Sequence, residues 1–143
     1  MSHNCNNLLI RCMDFRLRKE LTDWINEGDL FDGGFDVISL AGASKSLADG
    51  SEEIKDFFLQ QVSVSTDLHH ASRAIVFHHS DCGAYAKDYS FASKAEEKMK
   101  QIEDMKKSRE ILQKKYSSVE VILVWGDLQD DHGEKINFEI VEG

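Results

Sequence analysis

Apolar and polar positions change period several times along the chain, and each change marks an element. Leu8-Leu9-Ile10-Arg11-Cys12 is a short apolar run that predicts a buried strand; Leu17, Leu21, Trp24 and Ile25 then recur at helical spacing up to Gly28, a helix stop. After the turn Asp32-Gly33-Gly34, the β-rich run from Phe35 to Leu40 predicts a second strand that ends at Ala41-Gly42. Ser51 is placed to cap a second helix, with Glu52 and Glu53 favourable to its dipole and Ile54, Phe57, Phe58 and Val62 as its apolar stripe. Arg73-Ala74-Ile75-Val76-Phe77 predicts a third strand. Residues 92 to 116 carry Met99, Ile102, Met105 and Leu112 on one side and the i,i+4 pairs Glu96/Lys100, Glu103/Lys107 and Glu110/Lys114 on the rest, which predicts a long, solvated surface helix. Val119 to Trp125 is the most hydrophobic run and predicts a fourth strand. The turn Asp130-Asp131-His132-Gly133 leads from it to the alternating Ile136 to Val141, which predicts an antiparallel edge partner.

Strand and helix alternate over the first four strands, so the expected fold class is α/β: a three-layer sandwich with a mostly parallel four-stranded sheet plus an antiparallel edge strand. Such sheets build their sites at the carboxyl ends of the strands.

Composition narrows the function. A chain of 143 residues with 41% apolar content fits a single domain over residues 1–143. A net charge of −9, with the lysines mostly in one glutamate-rich stretch, argues against nucleic acid as a partner. No run of about 18 apolar residues is present to span a membrane, and the start MSHNCNN lacks the features of a secretory signal, so a cytoplasmic location is expected. In that compartment three cysteines read as buried residues, metal ligands or nucleophiles, and not as a disulfide framework.

Two short motifs fall at predicted carboxyl ends: Cys12-Met13-Asp14-Phe15-Arg16 after the first strand and His78-His79-Ser80-Asp81-Cys82-Gly83 after the third. If those strands are neighbours, one thiolate and a His-x-x-Cys pair converge on one ion. Two sulfurs and an imidazole suit zinc and leave a fourth position for water or a carboxylate.

The Cys-x-Asp-x-Arg and His-x-x-Cys-Gly pair resembles the signature of β-carbonic anhydrases, in wording similar to their small bacterial and archaeal branch. Ala41-Gly42 and the stretch Trp125-Gly126-Asp127-Leu128-Gln129-Asp130 with Gly133-Glu134-Lys135-Ile136 extend the likeness over residues 7 to 141. The resemblance implies Zn2+ held by Cys12, His79 and Cys82, with Asp14 and Arg16 as a carboxylate-guanidinium dyad and Asp14 as an alternative fourth ligand. It also implies hydration of carbon dioxide to bicarbonate by zinc-bound hydroxide, in a homodimer or higher homo-oligomer. The chain departs from the family pattern at Ser39-Leu40, where Arg-Asn is usual, and at Phe15, where a small residue is usual. Two further readings stand beside the anhydrase: a non-catalytic zinc-binding homologue and a hydrolase of a sulfur analogue such as carbonyl sulfide. His78 is expected to point away from the metal because successive strand residues alternate faces. Cys5 reads as a bystander, His69 and His70 as helix-end residues facing the dipole, and His132 as a turn residue.

Overall fold

The computed structural model describes residues 3–143. Its sheet has five strands in the order β2-β1-β3-β4-β5. These are β1 (Asn7–Cys12), β2 (Phe35–Leu40), β3 (Arg73–His79), β4 (Glu120–Leu128) and β5 (Ile136–Ile140). The first four are parallel, and β5 returns antiparallel along β4, with Trp125 opposite Glu139. β1 lies between β2 and β3, so the chain leaves it first to one side and later to the other. That reversal opens a crevice at the carboxyl ends of β1 and β3, where open α/β sheets place their sites.

Residue chemistry explains the layers. Leu8, Leu9, Ile10, Ile75, Val76 and Phe77 are almost fully buried, as expected for inner strands covered on both faces. Phe77 and His78 are consecutive on β3 and therefore face opposite sides. On the Phe77 side lies α1 (Arg18–Glu27), whose Trp24 stacks on Phe138 at 4.7 Å between ring centres, while Phe77 and Phe138 are 5.8 Å apart. On the His78 side lie α2 (Lys45–Asp49), α3 (Glu52–Ser63), α4 (Gly83–Asp88) and α5 (Lys94–Lys115). Ser51 caps α3 through a hydrogen bond from the Ile54 N–H, as its sequence position predicts. A single π-turn, Val64–Leu68, follows that helix.

Two expectations need correction. Helix α5 is not solvated on its polar face: Glu97, Gln101, Asp104 and Ser108 are buried with Met105 and Leu112, whereas Met99 is 73% exposed. The i,i+4 pair Glu103/Lys107 forms at 3.6 Å, but Lys100 pairs with Glu103 and Asp104 and not with Glu96. In α3 the predicted stripe is only half buried, since Phe58 and Val62 enter the core and Ile54 and Phe57 remain exposed.

Candidate metal centre

Cys12 ends β1, His79 ends β3, and Cys82 opens α4 three residues later. Their donor atoms all lie within 4.8 Å of one another, and all three residues are buried. Around a tetrahedral zinc with bonds of about 2.0–2.3 Å such donors stand roughly 3.3–3.8 Å apart, so the three are near enough to close on one ion with small side-chain adjustments. His79 Nδ1 donates to the Ser80 carbonyl at 2.6 Å, which fixes the tautomer and leaves Nε2 as the acceptor. That Nε2 is buried and has no hydrogen-bond partner. An unpartnered imidazole nitrogen facing two sulfurs is costly in a dry core unless a cation takes its lone pair.

The thiols respond to each other. Hydrogen bonding from Cys82 holds the Cys12 thiol well below its usual range and, by the same contact, pushes Cys82 up, so the pair shares one proton. The Gly42 N–H also donates to Cys12 Sγ at 3.4 Å. Gly42 has φ +79°, and a Cβ there would lie 3.0 Å from that of Lys45 and 3.1 Å from that of Ala84, so the Ala-Gly turn approaches the centre without room for a side chain.

Asp14 sits beside these donors, with Oδ2 3.7 Å from His79 Nε2. Arg16 grips it three times: the backbone N–H at 2.8 Å and Nε at 3.1 Å donate to Oδ1, and Nη2 donates to Oδ2 at 2.8 Å. Burial opposes ionisation of Asp14, yet the Arg16 guanidinium and N–H outweigh it and hold the carboxyl below the usual carboxylate range. Arg16 is itself anchored on its other side by the Asp81 carboxylate and carbonyl, each at 2.8 Å. Gly133, at φ +74°, lets the loop between β4 and β5 lie against the Arg16 carbonyl, where a Cβ would come within 1.9 Å.

The loop carrying Asp81 and Cys82 is held by a residue that periodicity did not single out. Glu97 accepts from the Asp81 N–H at 2.9 Å and from the Cys82 N–H at 3.0 Å, and Asp81 adopts a left-handed φ of +56° between its neighbours. One turn further along α5, Gln101 donates to the His79 carbonyl and accepts from His78 Nδ1. His78 Nε2 meets the Ser44 hydroxyl at 2.8 Å, and burial pushes His78 down to about 4, a neutral spacer that points away from the donors as strand alternation predicts. Asp104 accepts from Tyr85 Oη, and Ser108 donates to Ser44 Oγ. The signal was present in the sequence as polar residues at 97, 101, 104 and 108, a helical stripe that apolar periodicity does not register.

A family model described as "Putative carbonic anhydrase" matches residues 2–138. Comparison with curated proteins found no match. Among solved structures, a tetrameric β-carbonic anhydrase of the filamentous ascomycete Sordaria macrospora superposes with TM-score 0.64 at 15% identity, covering 98% of this chain and 82% of the other. β-Carbonic anhydrase isoform I of the protozoan Trichomonas vaginalis gives 0.60 at 17% identity, covering 97% and 84%. A carbon disulfide hydrolase in its apo form gives 0.52 at 16%, covering 89% and 76%. At such identities the superpositions speak for the fold alone, whereas the family match extends from the amino-terminal arm into β5 and takes in both the Cys12–Arg16 and the His78–Gly83 motifs. By fold and by that match, the chain belongs to the putative carbonic anhydrase family.

Proposed function

We propose that the chain is a zinc-dependent carbonic anhydrase catalysing the reversible hydration of carbon dioxide to bicarbonate, with Cys12, His79 and Cys82 as zinc ligands and Asp14 and Arg16 as the catalytic dyad. The observation that carries this reading is the buried, unpartnered His79 Nε2, which faces two sulfurs beside a carboxylate already held by a guanidinium. Zinc bound there supplies a Lewis acid that lowers the pKa of a ligating water toward neutrality. Asp14, whose Oδ2 lies 3.7 Å from His79 Nε2, would be the residue that accepts a hydrogen bond from a water brought to such an ion and orients it. Arg16, gripped by both Asp14 and Asp81, restrains the carboxylate from becoming the fourth ligand itself. Stopped-flow measurement of carbon dioxide hydration on protein of known zinc content tests the reading; full zinc with no hydration at any pH would leave a non-catalytic zinc protein instead.

A second reading has one observation in its favour. Met13 and Phe15 flank Asp14 in the sequence and are 64% and 80% exposed, so the residues next to the dyad are apolar, as a sulfur analogue of carbon dioxide would favour. The fold is also shared with a carbon disulfide hydrolase. Turnover of carbonyl sulfide or carbon disulfide exceeding that of carbon dioxide would favour it.

The active form in this proposal is a homodimer or larger homo-oligomer of a single domain, located in the cytoplasm. Edge strand β2 offers Phe35, Val37 and Leu40 to solvent, and α3 offers Ile54 and Phe57. The Sordaria macrospora protein is described as tetrameric. No helix among the described residues is long and apolar enough to cross a membrane.

A further inference from the structure

A second group of metal-ligating side chains lies at the opposite end of the sheet. Cys5 precedes β1, Asp36 is the second residue of β2, and His69 follows the π-turn after α3. Cys5 and Cys12 are seven residue steps apart along nearly extended chain, so the two centres are roughly 20 Å apart by strand rise. Cys5 Sγ stands 3.3 Å from Asp36 Oδ2, His69 Nδ1 stands 2.7 Å from the same oxygen, and the three donor atoms fit within 4.8 Å. The backbone holds this arrangement, because the Cys5 N–H donates to the His69 carbonyl at 3.0 Å. His70, the next residue, takes a left-handed φ of +62°.

Two more observations point to a ligand. His3 Nε2 lies 2.9 Å from His69 Nε2, so the ring nitrogen that does not face Asp36 has a partner of its own, as metal-bound imidazoles usually do. Ser65 is 2% exposed and its hydroxyl has no hydrogen-bond partner, yet it lines a depression of about 220 Å³ together with Asp36 and His69.

We propose that Cys5, Asp36 and His69 form a second, structural site for a divalent transition ion of the zinc class, fastening the amino-terminal arm to β2 and to the end of α3. One thiolate, one imidazole and one carboxylate are a borderline donor set, suited to zinc or cobalt and not to magnesium or calcium. A thiol must lose its proton to ligate such an ion, so binding is expected to tighten as pH rises.

The test is zinc stoichiometry and affinity by competition with a chromogenic chelator on the full chain, in wild type, Cys5→Ser and His69→Ala. Wild type should hold about two zinc ions, and each variant about one less, with the second equivalent weakened more than tenfold. A fall from about one to none would mean that the Cys12 centre does not hold metal and this one does, which separates the two proposals. Zinc should also slow alkylation of Cys5 and raise the melting temperature of wild type more than that of Cys5→Ser. Equal zinc uptake by wild type and both variants, or Cys5 alkylation that excess zinc leaves unchanged, overturns the proposal. Both substitutions fall at partly exposed positions, so circular dichroism that matches wild type validates the comparison.

Discussion

Replacing Glu97 with Gln tests whether the Asp81–Cys82 loop is held from α5. The carboxylate is buried and accepts from the N–H groups of Asp81 and Cys82 and from the Gln101 amide. An amide keeps one acceptor oxygen and turns the other position into a donor, so at least one of these N–H groups meets another donor. Losing one hydrogen bond to a charged group and leaving its donor dry costs about 2–3 kcal/mol. For 143 residues the unfolding entropy near the midpoint is about 0.3 kcal/mol/K, so the melting temperature should fall by roughly 7–10 °C. Zinc affinity should fall as well, because the left-handed Asp81 loses the bond that offsets its strain and Cys82 is adjacent. Thermal unfolding with and without zinc, with a chelator titration, reads both effects; Glu103→Gln, an exposed partner of two lysines, should stay within about 0.5 kcal/mol. A Glu97→Gln protein within about 1 kcal/mol of wild type and of unchanged zinc affinity would refute the reasoning.

Other predictions follow from single contacts. Arg16→Ala should reduce carbon dioxide hydration about 100-fold or more while zinc content stays near wild type, because the freed Asp14 closes the fourth position; cobalt spectra that still respond to added anions would count against closure. Gly133→Ala should cost about 1–3 kcal/mol in urea unfolding and lower activity, since its Cβ would collide with the Arg16 carbonyl at a positive φ. Burial works against the charge on Lys45, but Asp49 and Asp88 more than compensate and raise its pKa. The roughly 1 kcal/mol that Lys45→Met removes near neutral pH should therefore stay constant up to the ordinary lysine range and fade only as pH rises toward the raised folded value; a penalty already gone at about pH 9 would contradict this.

Strand positions were legible because inner parallel strands write themselves as apolar runs, and Cys12 and His79 were legible as candidates because they end two of those runs. The adjacency of β1 and β3, on which convergence depends, is a property of the strand order and not of any local pattern. The short helices α2 and α4 escaped notice since neither is long enough to show a period: Lys45–Asp49 buries Leu47, and Gly83–Asp88 buries Tyr85. β4 runs on to Leu128 because Gly126 fits closely over Phe77, whose ring a Cβ would meet at 2.6 Å; in the sequence Gly126-Asp127 resembles a turn. The polar stripe of α5 was misread for a physical reason. Hydrophobic periodicity detects burial by transfer from water, whereas Glu97, Gln101, Asp104 and Ser108 are buried by satisfying backbone and side-chain groups of other elements.

That stripe makes α5 a helix with a fixed angular setting. Residues at 97, 101, 104 and 108 reach, in turn, the Cys82 loop, the end of β3, Tyr85 of α4 and the start of α2. One inserted or deleted residue between positions 97 and 108 would rotate everything beyond it by about 100° and send the later contacts into solvent. Length changes in this chain should therefore be tolerated after Leu112 or in the loop before Ser93 and excluded from the span between. Deep insertion scanning would draw that boundary directly.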